Sequence, residues 1–282
     1  MVMDERQSSE LLRVGVVQLT SNTDVDANVE RALALVREAV SQGADLVALP
    51  ENFAFLGREQ EKLPFAQEVE GGAFLEPMRA LARECGVGIL AGTIPERGPD
   101  PDRVYNTSVL LGRDGETLGV YKKIHLFDID IPGQITFAES AAVEPGTEPV
   151  VAEFEGWKIG LTVCYDLRFP ELYRKLVEQG AEILTVPAAF TLQTGKDHWE
   201  VLLRARAIEN QCFVVAPGQF GQHSPGRASW GKSLLADPWG AVLGICPERE
   251  SVALATFERA DLTRVRAQLP CLSHRRLDGR SG

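Results

Sequence analysis

The sequence is poor in cysteine and in aromatic residues, and it contains no long apolar run. Its five cysteines, at 85, 164, 212, 246 and 271, form no CxxC pair and no short cluster, so neither a zinc site nor a disulfide framework is indicated. The odd, sparse count favours a reducing compartment, and we expect a cytoplasmic protein. No stretch approaches the roughly 20 apolar residues of a membrane span, and no signal-peptide pattern is present.

Basic residues are outnumbered by acidic ones. Lysine and arginine total 29 against 40 aspartates and glutamates, so the formal charge is 29 − 40 = −11. We therefore expect no nucleic-acid partner and no anionic membrane surface. The four histidines have no metal-ligand spacing, and no metal is expected. The remaining composition, 44% apolar over 282 residues, is typical of a globular chain.

Apolar periodicity alternates between strands and helices along the chain. Leu11 to Leu19 is a β-branched run that predicts a buried strand, and Val29, Leu33, Val36 and Val40 recur at helical spacing. Leu46 to Leu49 predicts the next strand, closed by Pro50. Strand, helix and strand in this order predict an α/β fold with a sheet covered by helices.

Later segments add antiparallel pairing and one long irregular stretch. Asp114-Gly115 is typical of a hairpin turn, so a mixed sheet is predicted. Residues 123–149 show little periodicity, and a loop of that length is usually functional or disordered. No repeat or linker interrupts the series, so we predict a single domain over residues 11–277. Flexible ends are expected at 1–10 and 278–282.

Three reactive side chains follow apolar strands, at the edge where open α/β sheets build their sites. They are Glu51, Lys123 and Cys164. Each alone has a plain structural interpretation, as a solvated charge or an inert core thiol. Together they supply a base, a cation and a nucleophile, which is what acyl transfer requires. The backbone N–H of Tyr165, just after the thiol, is a natural second oxyanion donor.

Three motifs carry a family resemblance, namely Leu49–Asn52, Tyr121–Asp128 and Gly160–Glu171. They resemble the Glu, Lys and Cys motifs of the nitrilase superfamily of carbon–nitrogen hydrolases. The resemblance implies a single-domain α-β-β-α sandwich, a homodimer or higher homo-oligomer, a small-molecule amide substrate and no cofactor. It makes Glu51 the base, Lys123 the oxyanion stabiliser and Cys164 the nucleophile. Glu139 matches the family's second glutamate, which holds the lysine.

Within the superfamily, two branches that hydrolyse amides of 2-oxo acids resemble this chain. Three stretches, 198–209, 227–233 and 274–276, resemble the deaminated glutathione amidases, whereas 127–133 resembles the omega-amidases, which act on 2-oxoglutaramate. The former resemblance covers more residues, so we expect a repair amidase, with omega-amidase as the alternative and a nitrilase as a lesser one.

Recognition of a carboxylate substrate needs a local cation in this acidic chain. Arg168, four residues after Cys164, is the best placed, because a guanidinium can grip a carboxylate bidentately. A salt bridge from Arg168 to Glu171 or Asp166 is the structural alternative. Phe190 is expected to wall the pocket. Weaker candidates for the cation are Arg204, Arg206 and Arg227.

Three other functions remain open at this point. A papain-like hydrolase would pair Cys164 with a histidine at 125, 198 or 223. A nucleotide-binding module would use the glycines of 86–92, but their GxGxxxG spacing is better interpreted as a turn with close packing. A non-catalytic scaffold would have no physical need for three reactive groups at strand ends.

Overall fold

Two β-sheets stacked face to face form the centre of the computed structural model, which describes residues 10–131 and 135–277. The expected flexible ends, apart from Glu10, lie outside the described residues. Helices cover the outer faces of the two sheets. The mixed α/β architecture predicted from periodicity is confirmed.

The first half of the chain alternates strands and helices. Its elements are β1 (Leu11–Gln18), α1 (Val25–Ser41), β2 (Leu46–Ala48), α2 (Leu75–Cys85), β3 (Gly88–Leu90), β4 (Ile94–Arg97), β5 (Val104–Leu111), β6 (Thr117–Lys122), β7 (Asp128–Ile131), β8 (Ile135–Ala138) and β9 (Val143–Glu144). Asp24 caps α1 by accepting a hydrogen bond from the backbone of Ala27, which satisfies one free donor of the first turn.

The second half repeats this pattern. Its elements are β10 (Val150–Phe154), β11 (Trp157–Leu161), α3 (Pro170–Glu178), β12 (Ile183–Thr185), α4 (Leu192–Asn210), β13 (Phe213–Ala216), β14 (Phe220–Ser224), β15 (Arg227–Trp230), β16 (Leu234–Ala236), β17 (Val242–Ile245), β18 (Ser251–Glu258) and α5 (Arg259–Gln268). Short 3-10 helices lie at Glu59–Phe65, Glu139–Ala141 and Cys164–Arg168. Pro170 opens α3, as its fixed φ favours.

Each sheet contains a parallel centre with antiparallel margins. The first has the order β18-β1-β2-β3-β5-β4, with β6 and β9 also paired to β5, and the second has the order β10-β11-β12-β13-β16-β17. Strands β1 to β3 are parallel, as are β11 to β13. Strand β18 returns to the first sheet and pairs with β1 along its whole length. Because of this return, both sheets belong to one domain.

Side-chain alternation along the strands builds the layers. On β1, Leu12, Val14 and Val16 point into the core between the sheets, while Gly15 faces α1. Helices α1 and α2 pack on the outer face of the first sheet, and residues of α3 and α4 cover the second. The result is the expected α-β-β-α sandwich. None of the described helices is long and apolar enough to cross a membrane.

Two local predictions need correction. The segment 123–149 is not simply a loop, because it contains the β7–β8 ribbon, a 3-10 helix and β9. The apolar residues of 87–94 predict one strand, but the structure has two, β3 and β4, which are separated at Gly92, where φ is +49°. A Cβ at Gly92 would collide with the carbonyl oxygen of Pro50. Close packing therefore explains this glycine, as the sequence indicated.

Candidate active site

The ends of three strands place their reactive residues at one buried point. Glu51 follows β2, Lys123 follows β6 and Cys164 follows β11. The ammonium of Lys123 donates to Glu51 Oε1 at 3.0 Å, and to Glu139 Oε2 at 2.8 Å and Oε1 at 3.0 Å. All four residues are at most 8% exposed. The structure thus brings together all four residues predicted to be catalytic.

Glu51 lies between the lysine and the thiol. Its Oε1 accepts from Lys123 and from Asn106 Nδ2, the latter at 2.9 Å, and its Oε2 accepts from the backbone of Ala189 at 2.8 Å. Its charge also acts on the Cys164 thiol, whose pKa it raises. These contacts hold the carboxylate within reach of the thiol proton, as a general base must be.

Glu139 and Lys123 stabilise each other's charge. Burial acts to raise the pKa of Glu139, but the charges of Lys123 and Lys62, together with the hydrogen bonds that Glu139 accepts, outweigh burial and lower it. Burial likewise acts to lower the pKa of Lys123, but the carboxylates of Glu139 and Glu51 hold it well above its usual value. Glu139 also accepts from the backbone of Phe127 at 2.7 Å. The site therefore keeps a fixed, fully charged lysine out of contact with solvent.

Cys164 sits on a sharp turn with φ +47°. Its N–H donates to Pro187 O at 2.9 Å, and the left-handed conformation costs a non-glycine residue about 1–3 kcal/mol. Burial raises the pKa of the Cys164 thiol well above its usual value, and Glu51 raises it further, while Lys123 opposes both. The thiol is therefore protonated at rest, and it needs a base at the moment of attack.

A pocket of about 220 Å³ opens beside Cys164. Tyr165, Arg168 and Phe190, all three predicted to bind substrate, line it together with Phe127, Ala189, Thr191 and Thr194. The Arg168 guanidinium lies 5.1 Å from the ring centroid of Phe190, and its Nη1 is 3.2 Å from His198 Nδ1. Within the described residues Arg168 forms no salt bridge, so neither Glu171 nor Asp166 neutralises it.

The model of the carbon-nitrogen hydrolase family matches residues 13–267 of this chain. The chain belongs to the carbon-nitrogen hydrolase family. It is therefore a hydrolase that acts on carbon–nitrogen bonds.

Relatives of this carbon-nitrogen hydrolase include two named amidases. It is 47% identical to human deaminated glutathione amidase, with 96% of this chain and 84% of the relative covered. It is 36% identical to omega-amidase of Bos taurus, covering 94% and 95%. The crystal structure of the NitFhit protein of Caenorhabditis elegans superposes with a TM-score of 0.90 at 38% identity. That comparison covers 96% of this chain and 66% of the NitFhit chain, which is a fusion protein.

The other candidate arginines of this hydrolase are engaged away from the pocket. Arg204 donates to Gly240 O, Arg206 donates to Leu167 O and pairs with Glu209, and Arg227 donates to Gly57 O and pairs with Glu59. Of the four arginines considered, Arg168 alone lines the pocket. Among these four arginines, Arg168 is therefore the candidate for binding a substrate carboxylate.

The candidate histidines also bond elsewhere than to the thiol. His125 Nδ1 is 2.7 Å from Asp166 Oδ1, and His198 contacts Arg168. His223 lies between Ser21 O and Ser229 Oγ. A papain-like pairing with Cys164 therefore finds no support. In residues 10–131 and 135–277, no group of three or more His, Cys, Asp and Glu side chains is arranged to hold a metal ion.

Sequence reasoning missed several polar residues that organise the site. Asn106 Nδ2 bridges Glu51 and Glu139, at 2.9 and 3.1 Å. Gln219, fully buried, donates to the backbone carbonyl of Glu51 at 3.0 Å. The signal for Asn106 was present, since three polar residues in succession interrupt the apolar strand β5. For Gln219 the sequence carries no local signal.

Proposed function

We propose that this protein is a deaminated glutathione amidase, which cleaves a small carboxylate-bearing 2-oxo-acid amide through a thioester on Cys164. The observation that carries the proposal is the identity of 47% to the human deaminated glutathione amidase, against 36% to the bovine omega-amidase. Omega-amidase activity on 2-oxoglutaramate is the second candidate. It is favoured by the resemblance of 127–133, of which 132 and 133 lie outside the described residues.

The first step is attack of the thiol on the substrate carbonyl. Glu51 takes the thiol proton as the sulfur of Cys164 bonds to the carbonyl carbon. The carbonyl oxygen becomes an oxyanion, which the Lys123 ammonium and the backbone N–H of Tyr165 stabilise. Such a preorganised donor contributes about 3–4 kcal/mol to the transition state.

Collapse of this intermediate breaks the carbon–nitrogen bond. Glu51 returns its proton to the departing amine nitrogen, and a thioester remains on Cys164. Water then enters, Glu51 takes one of its protons, and the hydroxide attacks the thioester carbonyl. The free acid leaves, and the thiolate recovers the proton from Glu51. Throughout both steps Glu139 and Asn106 hold Lys123 and Glu51 in register.

Mass spectrometry of a slowed variant tests this mechanism. We expect Glu51→Gln, mixed with a 2-oxo-acid amide, to accumulate an acyl adduct that peptide mapping places on Cys164. Cys164→Ala should lose turnover, whereas the control Cys246→Ala, a buried cysteine at the end of β17, should keep it. Undiminished turnover in Cys164→Ala would contradict the mechanism.

A substrate comparison decides between the two candidate activities. We expect the kcat/KM for deaminated glutathione to exceed that for 2-oxoglutaramate. The opposite ranking would favour omega-amidase while leaving the thioester mechanism intact, because both substrates pass through the same acyl chemistry.

Oligomeric state and compartment are part of the same proposal. Exposed apolar side chains of α4, Val201 and Ile208, lie on the outside of the second sheet together with Trp239. They support self-association through a helix face, which sedimentation would measure. A catalytic thiol must stay reduced, and this supports a cytoplasmic location.

A further inference from the structure

Asp166 is a fully buried carboxylate to which the mechanism above assigns no role. It accepts four hydrogen bonds. Tyr121 Oη and Val163 N donate to Oδ2 at 2.7 and 2.9 Å, and the backbone and Nδ1 of His125 donate to Oδ1 at 3.0 and 2.7 Å. A buried carboxylate needs such complete pairing to be tolerated.

The hydrogen bonds to Asp166 come from residues that lie next to Lys123 or Cys164 in the sequence. Tyr121 lies two residues before Lys123, and His125 lies two residues after it. Val163 directly precedes Cys164, and Asp166 itself follows Cys164 by two residues. The Asp166 carboxylate therefore connects the residues on either side of Lys123, which follows a strand of the first sheet, to the turn that carries Cys164, which follows a strand of the second sheet.

We propose that Asp166 is a positioning residue that fixes the Lys123 ammonium relative to the Cys164 thiol by joining the segments that carry them. The inference rests on the proposed function, since it assigns the lysine and the cysteine to one reaction. Misplacement of reacting groups by about 1 Å can cost about 100-fold in rate. Asp166 therefore acts on kcat, and substrate affinity depends on the pocket.

The His125 ring extends this link to the pocket wall. It stacks on Phe169 with ring centroids 3.7 Å apart and planes 6° from parallel, and Phe169 meets Tyr165 edge to face at 5.3 Å. Tyr165 lines the pocket. The segment that carries the lysine is thus packed against the turn that carries the nucleophile, as well as bonded to it.

Two buried tyrosines offer a matched pair of variants. Tyr121 Oη bonds to Asp166, whereas Tyr173 Oη bonds to Thr162 Oγ1 at 2.8 Å, on the cysteine side alone. Both side chains are fully buried, so phenylalanine removes one buried hydroxyl in each case. We expect Tyr121→Phe to lower kcat about 10-fold with KM changed less than about 3-fold, and Tyr173→Phe to leave both constants within about 2-fold.

Asp166→Asn is the stronger variant, because an amide presents its own NH₂ group to donors. We expect a fall in kcat of about 100-fold, and a fall of at least about 10-fold in the rate at which iodoacetamide alkylates Cys164 near neutral pH. Alkylation needs no substrate, and peptide mapping separates Cys164 from the other four cysteines. If Asp166→Asn does not fold, the tyrosine pair decides.

Equal kcat in Tyr121→Phe and Tyr173→Phe, at equal thermal stability, would overturn the proposal. So would a folded Asp166→Asn that retains wild-type turnover and alkylation. A wild-type protein that hydrolyses no amide would contradict the proposed function instead, and the alkylation rates would still decide whether Asp166 positions the thiol.

Discussion

The two sheets contribute different kinds of residue to the site. The first sheet and its connections supply Glu51, Asn106, Lys123 and Glu139, which are all at most 3% exposed and bonded to one another. The second supplies Cys164 and most of the residues that line the pocket, including Arg168 and Phe190. Under the proposed function, the buried charged groups and most of the substrate-binding groups lie on different sheets. We therefore expect mutations of the charged groups to change mainly kcat and mutations of the pocket residues to change mainly KM.

The largest effect is expected on the side of the first sheet. Glu139→Gln keeps the shape of the side chain but removes a charge that holds Lys123 at 2.8 Å. We expect kcat to fall about 100- to 1,000-fold, as for loss of an oxyanion donor, with KM nearly unchanged. Steady-state kinetics with Glu144→Gln as control, whose partner Arg103 is a surface residue, measures this. A change confined to KM would break the comparison.

A smaller effect is expected where the β14–β15 hairpin contacts the segment that follows β1. Burial lowers the pKa of His223, on β14, to about 4 from 6.5, and His223 Nδ1 contacts Ser21 O of the first half. The unfolded chain takes up this proton as the pH falls below 6.5, and the folded chain does so only near pH 4. Stability is therefore present above pH 6.5 and declines between these values, by about 3 kcal/mol in total.

Urea unfolding at several pH values between 7 and 4 measures this decline. The His223→Gln variant should lose about 3 kcal/mol less than the wild type over the interval, whereas the exposed His274→Gln should follow the wild type. Parallel curves for His223→Gln and wild type would show that protonation of His223 does not lower the stability of the fold.

The smallest effect is expected on the side of the second sheet. Arg168→Lys keeps the positive charge in the pocket but loses the planar fork that binds a carboxylate at two points. We expect KM for a carboxylate-bearing amide to rise about 10-fold, which corresponds to about 1.4 kcal/mol, with kcat within about 3-fold. Arg204→Lys, outside the pocket, is the control. A fall in kcat alone would show that recognition and chemistry are not separate.

The sequence carries local signals for the residues that end strands. Glu51, Lys123 and Cys164 each follow an apolar run, so their placement at a sheet edge was predictable from the order of strands and helices. The polar run 106–108 marks Asn106 within an apolar strand, but its approach to Glu51 could not be predicted, because that contact depends on which strands are neighbours in the sheet. Strand β5 pairs with β3, β4, β6 and β9, and no periodicity encodes that arrangement.

Two other elements differ from what the sequence pattern predicts, because contacts between distant parts of the chain determine them. The sequence pattern predicts that α4 begins near Asp197, because Gly195 is a weak helix former, but the helix begins at Leu192. In the fold this glycine lets the helix approach Trp230, whose side chain would collide with a Cβ there. The β14–β15 hairpin was not predicted, because the Gly-Gln-His-Ser of β14 lacks an apolar alternation. Its pairing is decided by contacts with the rest of the chain.

The return of β18 to the first sheet has a consequence for biosynthesis. Leu11 pairs with Glu258, so 258 − 11 = 247 positions of chain separate the partners. At roughly 5–20 residues per second, the apolar strand β1 waits tens of seconds on the ribosome with one edge unpaired, a state that invites aggregation. Strand β18 carries none of the site residues. A nascent chain can nevertheless complete the first sheet only after β18 has been translated.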